Sequence, residues 1–172
     1  MSYELKEEYI NNILQYRKEI PIPIVKLANS FNIEVYKVSD MKSDISGAII
    51  NENGIYTIYT NKNEPEYRRR FTIAHELSHF MLHKDIINNH LNGNLTDAKE
   101  NGDIMYRSKL SNIFEKDANN LASEILMPLE KVTELYFNCK NIKKLAKEFM
   151  VSEQAMAIRI DNPYNLFLKK GE

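Results

Sequence analysis

The sequence is short of the residues that mark several protein classes. Its 172 residues include one cysteine, Cys139, five glycines and five prolines. A single cysteine excludes an internal disulfide and a zinc site built from several cysteines. The low glycine and proline content, without a low-complexity tract or a repeat, argues against a long linker. The length predicts one domain with a substantial core, or one domain with a small appendage.

Strong net charge and long apolar runs are also lacking. The formal net charge is -1, which argues against a surface that generally coats nucleic acid or membranes. The N-terminus lacks a basic segment followed by an apolar one, and no apolar run approaches the length of a membrane span. We therefore expect a cytoplasmic protein without a membrane partner.

What the sequence does contain is a His-Glu-x-x-His motif, formed by His75, Glu76 and His79. Residues four apart on a helix lie one turn apart and about 40° out of line, so the two imidazoles can point at one metal ion. Glu76 lies about 100° round the helix from His75, where it suits a general base acting on water at the open side of the metal. The motif predicts a zinc site.

The alternative is a pair of unconnected histidines on a surface helix. The residues around the motif argue against it, because Ala74, Leu77 and Phe80 make the helix mostly apolar and hence buried. Burying polar groups without partners costs a few kcal/mol each, and a metal ion supplies such a partner. The apolar setting therefore favours the metal site.

Apolar periods predict the elements around the motif. Asn53 and Gly54 supply the positive φ angles of a tight turn, which predicts a hairpin. Asn63 is the predicted N-cap of the motif helix, which should end near His83, and residues 84–110 are predicted to form a polar insertion. The predicted fold class is α+β: a mostly helical single domain with a small, mainly antiparallel sheet of about three strands beside the motif helix. Other helices are predicted near 4–18, 24–32, 112–127, 129–137, 142–149 and 152–160, and strands near 33–38, 47–50 and 55–60.

A catalytic zinc usually has three protein ligands, so the two histidines need a companion. His83 is excluded on distance, because eight residues of helix rise about 12 Å beyond His75 whereas zinc bonds are about 2 Å long. We expect His83 at the C-terminus of the motif helix, partly protonated in the field of the helix dipole. His90 falls in the polar insertion and is expected to face solvent.

Carboxylates supply better candidates for the third ligand. Glu115 lies on a predicted helix whose small residues Ala118 and Ala122 allow close approach to another helix. Asp117 and Glu124 on the same helix are competing candidates. One turn after Glu115, Asn119 is placed to hydrogen-bond a metal ligand.

Several stretches resemble the ImmA/IrrE family of zinc metallo-endopeptidases over about residues 20–160. They are residues 70–79, the Glu-x-x-Ala-Asn-x-x-Ala pattern from Glu115, residues 126–128, and Ser46 with Gly47. The resemblance implies that His75, His79 and Glu115 bind Zn²⁺ and that Glu76 is the catalytic base. The chain departs from the family's usual glycine at Ser78 and its usual aromatic residue at Leu121.

The resemblance also implies a function, and the helical pattern of the C-terminal residues predicts a division of the chain. Residues 1–140 would form a zincin-like metallopeptidase domain, and residues 141–172 helix-turn-helix-like helices packed on the same domain. The implied activity is zinc-dependent cleavage of a protein substrate, a helix-turn-helix repressor or regulator of a phage or mobile element. Tyr106 is a candidate for stabilising the oxyanion. The edge of the hairpin at Ile55–Thr60 is a candidate for binding a substrate strand, although the same strand can equally be an inner one.

The rival interpretation is a DNA-binding or partner-binding regulatory module with a structural or latent zinc site. Residues 145–159 have the pattern of a helix-turn-helix, and Lys143, Lys144 and Lys147 lie nearby. Direct DNA binding is the weaker interpretation, because the second helix carries only Arg159 as a base-reading cation. The run of arginines at 68–70 is predicted to form salt bridges with neighbouring acids rather than a nucleic-acid patch.

Overall fold

Seven helices and three strands make up the described part of the chain. The computed structural model describes residues 5–90 and 112–168, and the side chains of all of these except 85–90. The predicted α+β class, a mostly helical single domain with a small sheet, is confirmed. The elements are α1 (Glu7–Tyr16), α2 (Ile24–Ser30), β1 (Ile33–Val38), β2 (Gly47–Glu52), β3 (Ile55–Asn61), α3 (Glu66–His90), α4 (Asn112–Leu126), α5 (Leu129–Cys139), α6 (Ile142–Phe149) and α7 (Glu153–Asp161).

The sheet has the order β1-β3-β2 and is mixed. Strands β2 and β3 form the predicted antiparallel hairpin, with φ of 53° at Asn53 and 89° at Gly54 in its turn. Strand β1 pairs in parallel with β3, so the sheet has one parallel and one antiparallel pairing. Because β3 lies in the centre, the prediction that Ile55–Thr60 offers a free edge is wrong, and the alternative of an inner strand is confirmed.

Helix α3 packs across the sheet, and a glycine permits the close approach. A Cβ atom added at Gly47 of β2 would overlap the Thr72 methyl group of α3 and the Tyr59 carbonyl oxygen of β3. On the same side, Tyr56 of β3 makes an edge-to-face contact with Phe80 of α3, with ring centroids 4.8 Å apart. These contacts fix the helix that carries the motif against a rigid support.

One hydrophobic cluster contains residues from the helices and from the sheet. It includes Ile13 of α1, Ile58 of β3, Leu77 of α3 and Leu121 of α4, all fully buried. The C-terminal helices contribute to the same cluster, through Leu145, Ala146 and Phe149 of α6 and Met156 of α7. In the described ranges, no helix combines the length and apolar character needed to cross a bilayer.

The limits of α3 differ from those predicted. The helix begins at Glu66 rather than after an Asn63 cap, because the Asn63 amide donates instead to the Ser39 carbonyl oxygen at 3.2 Å. Its regular part ends at a kink at His83 (φ -130°, ψ 26°), where the helix was predicted to end, and the chain continues as helix from there to His90. The predicted insertion at 84–110 therefore begins as helix, and residues 91–111 lie outside the described ranges.

Candidate metal centre

Helices α3 and α4 pack against each other and bring the motif to a carboxylate. The contact is close because α4 presents Ala118 and Ala122, both fully buried, as the sequence predicted from their small size. His75 and His79 are also buried, and Glu115, at the first turn of α4, is half-buried. Packing of two helices thus joins residues that are far apart in the sequence.

The nitrogen and oxygen atoms of His75, His79 and Glu115 converge on one point. The two Nε2 atoms lie 3.0 Å apart. Nε2 of His75 lies 3.4 Å from Oε2 of Glu115, and Nε2 of His79 lies 3.4 Å from Oε1 of the same carboxylate. Zinc bonds of about 2 Å in tetrahedral geometry separate neighbouring ligand atoms by about 3.3 Å. The three residues therefore form a cluster that could hold a metal ion, and its spacing fits zinc.

The electrostatics of the cluster also fit a cation. Burial would raise the pKa of Glu115, but its contacts with the His75 and His79 rings outweigh burial and hold that pKa well below its usual range. Glu115 is therefore an anion at neutral pH. A carboxylate and two imidazole nitrogens that face one another concentrate negative potential, which a bound cation neutralises.

Each histidine has a partner at its other ring nitrogen. Nδ1 of His75 lies 2.9 Å from Oδ1 of Asn119, the contact expected for Asn119. Since an amide oxygen only accepts, this contact favours the neutral tautomer of His75 that carries its proton on Nδ1 and presents a lone pair at Nε2. Nδ1 of His79 lies 3.0 Å from Nδ1 of His83. Such partners fix the tautomer and the orientation of a histidine that binds a metal.

The expectations for His83 are partly wrong. It is 2 % exposed rather than placed at a solvated helix end, and burial, followed by the charge of His79, lowers its pKa to about 4. The imidazole is therefore neutral at neutral pH rather than partly protonated. Its exclusion from the metal-ligand set stands, since the cluster of ligand atoms consists of His75, His79 and Glu115. The contact between His83 and His79 was not predicted, although their spacing of four residues on one helix indicates it.

The competing carboxylates lie elsewhere. Glu124 is 3 % exposed, but its carboxylate accepts hydrogen bonds from the backbone N–H groups of Leu166, Phe167 and Leu168. Asp117 is half-buried and is not part of the cluster. Of the three acids proposed on this helix, only Glu115 reaches the histidines.

Glu76 is almost completely buried on α3, between the two histidines in sequence and outside the cluster of ligand atoms. The general-base role assigned to Glu76 stays a prediction. Of the other residues considered, Tyr106 lies outside the described ranges, as does the side chain of His90. The oxyanion role assigned to Tyr106 stays a prediction.

The arginines at 68–70 contact backbone carbonyl oxygens as well as the predicted acidic side chain. Arg68 lies 3.8 Å from Glu64, but Arg69 donates to the carbonyl oxygen of Glu64 and Arg70 to that of Ile22. Arg159, the one candidate for reading DNA bases on α7, is 4 % exposed. Its guanidinium donates to backbone carbonyl oxygens of Met127 and Tyr164 and to the Asn165 side chain, so it is not available to DNA.

The fold has a counterpart among solved structures. A protein described as a Mycobacterium tuberculosis transcriptional regulator matches with a TM-score of 0.62 and 14 % sequence identity. The match covers 91 % of this chain and 48 % of that chain, so the present chain spans about half the length of its structural relative. At this identity the likeness shows the fold alone. No curated protein matches the sequence significantly.

The sequence itself matches a family. The model of the peptidase M78 family, described as the IrrE N-terminal-like domain, matches residues 28–161. This range contains the motif helix, α4 and both C-terminal helices, and agrees with the resemblance to ImmA/IrrE proteins noted from the sequence. The chain therefore belongs to the IrrE N-terminal-like family of peptidases.

Proposed function

We propose that this protein is a zinc-dependent endopeptidase that cleaves a helix-turn-helix repressor or regulator of a phage or mobile element. His75, His79 and Glu115 are its zinc ligands and Glu76 is its general base. The observation that carries the proposal is the convergence of two imidazole nitrogens and one carboxylate, 3.0 to 3.4 Å apart, between two packed helices.

Zinc is the metal that this set of ligands suits. Calcium and magnesium prefer sets made only of oxygen atoms, whereas two imidazoles and one carboxylate are a common set at catalytic zinc sites. Three protein ligands leave a coordination position open, which catalysis requires and a structural zinc site lacks. The ligand chemistry therefore supports a catalytic role over a purely structural one.

When bound, zinc supplies a Lewis acid that polarises a peptide carbonyl and lets water act as a nucleophile near neutral pH. The protein's own residues then manage the proton. Glu76 accepts it from the attacking water as the C–O bond forms and then delivers it to the nitrogen of the leaving amine, whose C–N bond breaks next. Asn119, at Nδ1 of His75, keeps that imidazole in the tautomer whose Nε2 faces the cluster.

A protein substrate follows from the peptidase family. The proposal of a repressor rests on the resemblance to ImmA/IrrE proteins. The structural relative described as a transcriptional regulator is about twice the length of this chain. A regulatory module with a latent zinc site is the second candidate, favoured by that same description. Burial of Arg159 argues against DNA binding through α7.

The experiment that tests this function is the Glu76→Gln variant. Co-expressed with candidate helix-turn-helix repressors of phages or mobile elements, the wild-type chain should generate fragments of its substrate, which mass spectrometry would identify. Glu76→Gln should retain bound zinc while cleavage falls by about 10²–10⁴-fold, the usual contribution of a positioned base. Glu66→Gln, at an exposed position of the same helix, is the matched control and should cleave normally. Undiminished cleavage by Glu76→Gln would rule out the mechanism.

A further inference from the structure

His79 and His83 contact each other through atoms that face away from the candidate metal. The two Nδ1 atoms are 3.0 Å apart, and the rings are tilted by 49° with centroids 5.2 Å apart. On the opposite side of His79, Nε2 faces His75 and Glu115. His79 is therefore held between the metal cluster and a second histidine on its own helix.

The contact defines the protonation of both rings when His79 binds a metal. A neutral imidazole that binds through Nε2 must carry its proton on Nδ1, and this N–H needs an acceptor. Nδ1 of His83 is at hydrogen-bond distance and accepts if His83 is neutral with its own proton on Nε2. His83 is 2 % exposed, and burial favours the neutral form of an imidazole.

The surroundings of His83 hold it in place for this contact. Its backbone departs from helical angles, with φ of -130°, so its side chain does not follow the regular helical direction. Its ring makes an edge-to-face contact with Phe114, with centroids 4.8 Å apart. Phe114 directly precedes Glu115 on α4. The same turn of α4 thus supplies the carboxylate of the cluster and packs against the residue behind His79.

We propose that His83 is a positioning residue for the metal centre: its Nδ1 accepts a hydrogen bond from Nδ1–H of His79 and holds His79 in the orientation and tautomer that bind the metal through Nε2. This inference rests on the proposed function, because it requires a metal at the cluster. His83 does for His79 what Asn119 does for His75. Removing such a partner typically lowers metal affinity by about 10–100-fold.

Two substitutions of similar size separate the hydrogen bond from packing. His83→Leu fills part of the buried space without an acceptor, whereas His83→Asn places an amide oxygen near the position of Nδ1. Zinc affinity would be measured by competition with a chromophoric chelator, and folding by circular dichroism of the metal-free proteins. We expect His83→Leu to bind zinc about 10–100-fold more weakly and His83→Asn to bind within about threefold of wild type. Ser78→Ala is the control, because Ser78 is buried next to His79 and its hydroxyl donates to the Ala74 carbonyl oxygen of the same helix. The zinc affinity of this variant should not change.

Several outcomes would overturn the inference. Unchanged zinc affinity in His83→Leu would show that the contact does not matter, and equal losses in the Leu and Asn variants would assign the effect to packing. If His83→Leu does not fold, His83→Gln replaces it, because glutamine places its amide oxygen near the position of Nε2 rather than Nδ1. Equal zinc affinities of His83→Asn and His83→Gln would then overturn the inference. A wild-type chain that binds no zinc would instead overturn the proposed function.

Discussion

Helix α4 contributes a glutamate to each of two polar clusters. The two clusters differ in whether hydrogen-bond donors or further acceptors face the carboxylate. Glu115 faces His75 and His79 in the candidate metal centre. Glu124 lies in what we term the C-terminal network, formed by Glu124, Arg159 and the backbone of residues 164–168. From sequence alone both glutamates were candidates for the third ligand.

In the C-terminal network, donors meet acceptors. Three successive backbone N–H groups, those of Leu166, Phe167 and Leu168, donate to the Glu124 carboxylate at 2.6 to 3.1 Å. Nε of Arg159 donates to the Met127 carbonyl oxygen at 3.0 Å. A buried charge satisfied in this way fixes the path of the chain and leaves no role for a metal.

In the candidate metal centre, acceptors meet acceptors. In the tautomer that Asn119 favours, Nε2 of His75 presents a lone pair, and it faces a second imidazole nitrogen and a carboxylate. A bound cation makes this arrangement favourable. The partners of a buried carboxylate, rather than its burial, therefore distinguish a structural role from a metal site.

The largest expected effect is on metal binding. His79→Ala removes one of three protein ligands and should weaken zinc binding by roughly a thousandfold, because binding energies of about 10–16 kcal/mol are shared among a few ligands. Stability of the metal-free protein should change little beyond the loss of packing, since converging acceptors are removed. Chelator competition and denaturant unfolding of the same variant would measure the two effects. Zinc affinity equal to that of wild type would contradict the proposed ligand set.

The reverse pattern is expected in the C-terminal network. Arg159→Leu removes three hydrogen bonds from a buried guanidinium and should lower the free energy of unfolding by about 2–4 kcal/mol, with zinc affinity unchanged. Arg68→Leu, at a side chain that is 62 % exposed, is the control and should have little effect. If Arg159→Leu instead kept full stability and lost binding to duplex DNA, this result would support the rival interpretation of a DNA-binding module.

The smallest expected effect is that of Glu124→Gln. The amide keeps one oxygen as an acceptor but loses the charge and the second acceptor, so we expect a loss of about 1–2 kcal/mol in the free energy of unfolding. Glu148→Gln on the exposed side of α6 is the matched control and should be neutral. Denaturant titrations of both variants, each in zinc and in EDTA, would measure the difference. Weaker zinc binding by Glu124→Gln would mean that the two clusters are not independent.

The sequence predicted those parts of the fold and site that depend on local spacing. The tight turn at Asn53 and Gly54, the helical placement of His75 and His79, and the small face of α4 all follow from residues a few positions apart. The resemblance to a known family supplied the remaining argument for Glu115 over its neighbours.

The features that were missed depend on contacts between distant segments. Parallel pairing of β1 places β3 in the centre, and no local pattern encodes that order. Arg159 resembles an exposed cation until the chain returns at residues 164–168 to surround it. The burial of His83 was missed because the contact with Phe114, which helps bury it, comes from α4.

The measurement that tests the central claim most directly is the metal content of the purified chain. Elemental analysis should find close to one zinc ion per chain, which EDTA removes and added zinc, but not magnesium, restores. Glu115→Gln should purify with much less zinc, whereas Glu124→Gln should retain as much as wild type. A wild-type chain that neither contains nor takes up zinc, or equal zinc contents in the two glutamine variants, would contradict the claim that acceptors converge at Glu115 in order to hold a metal.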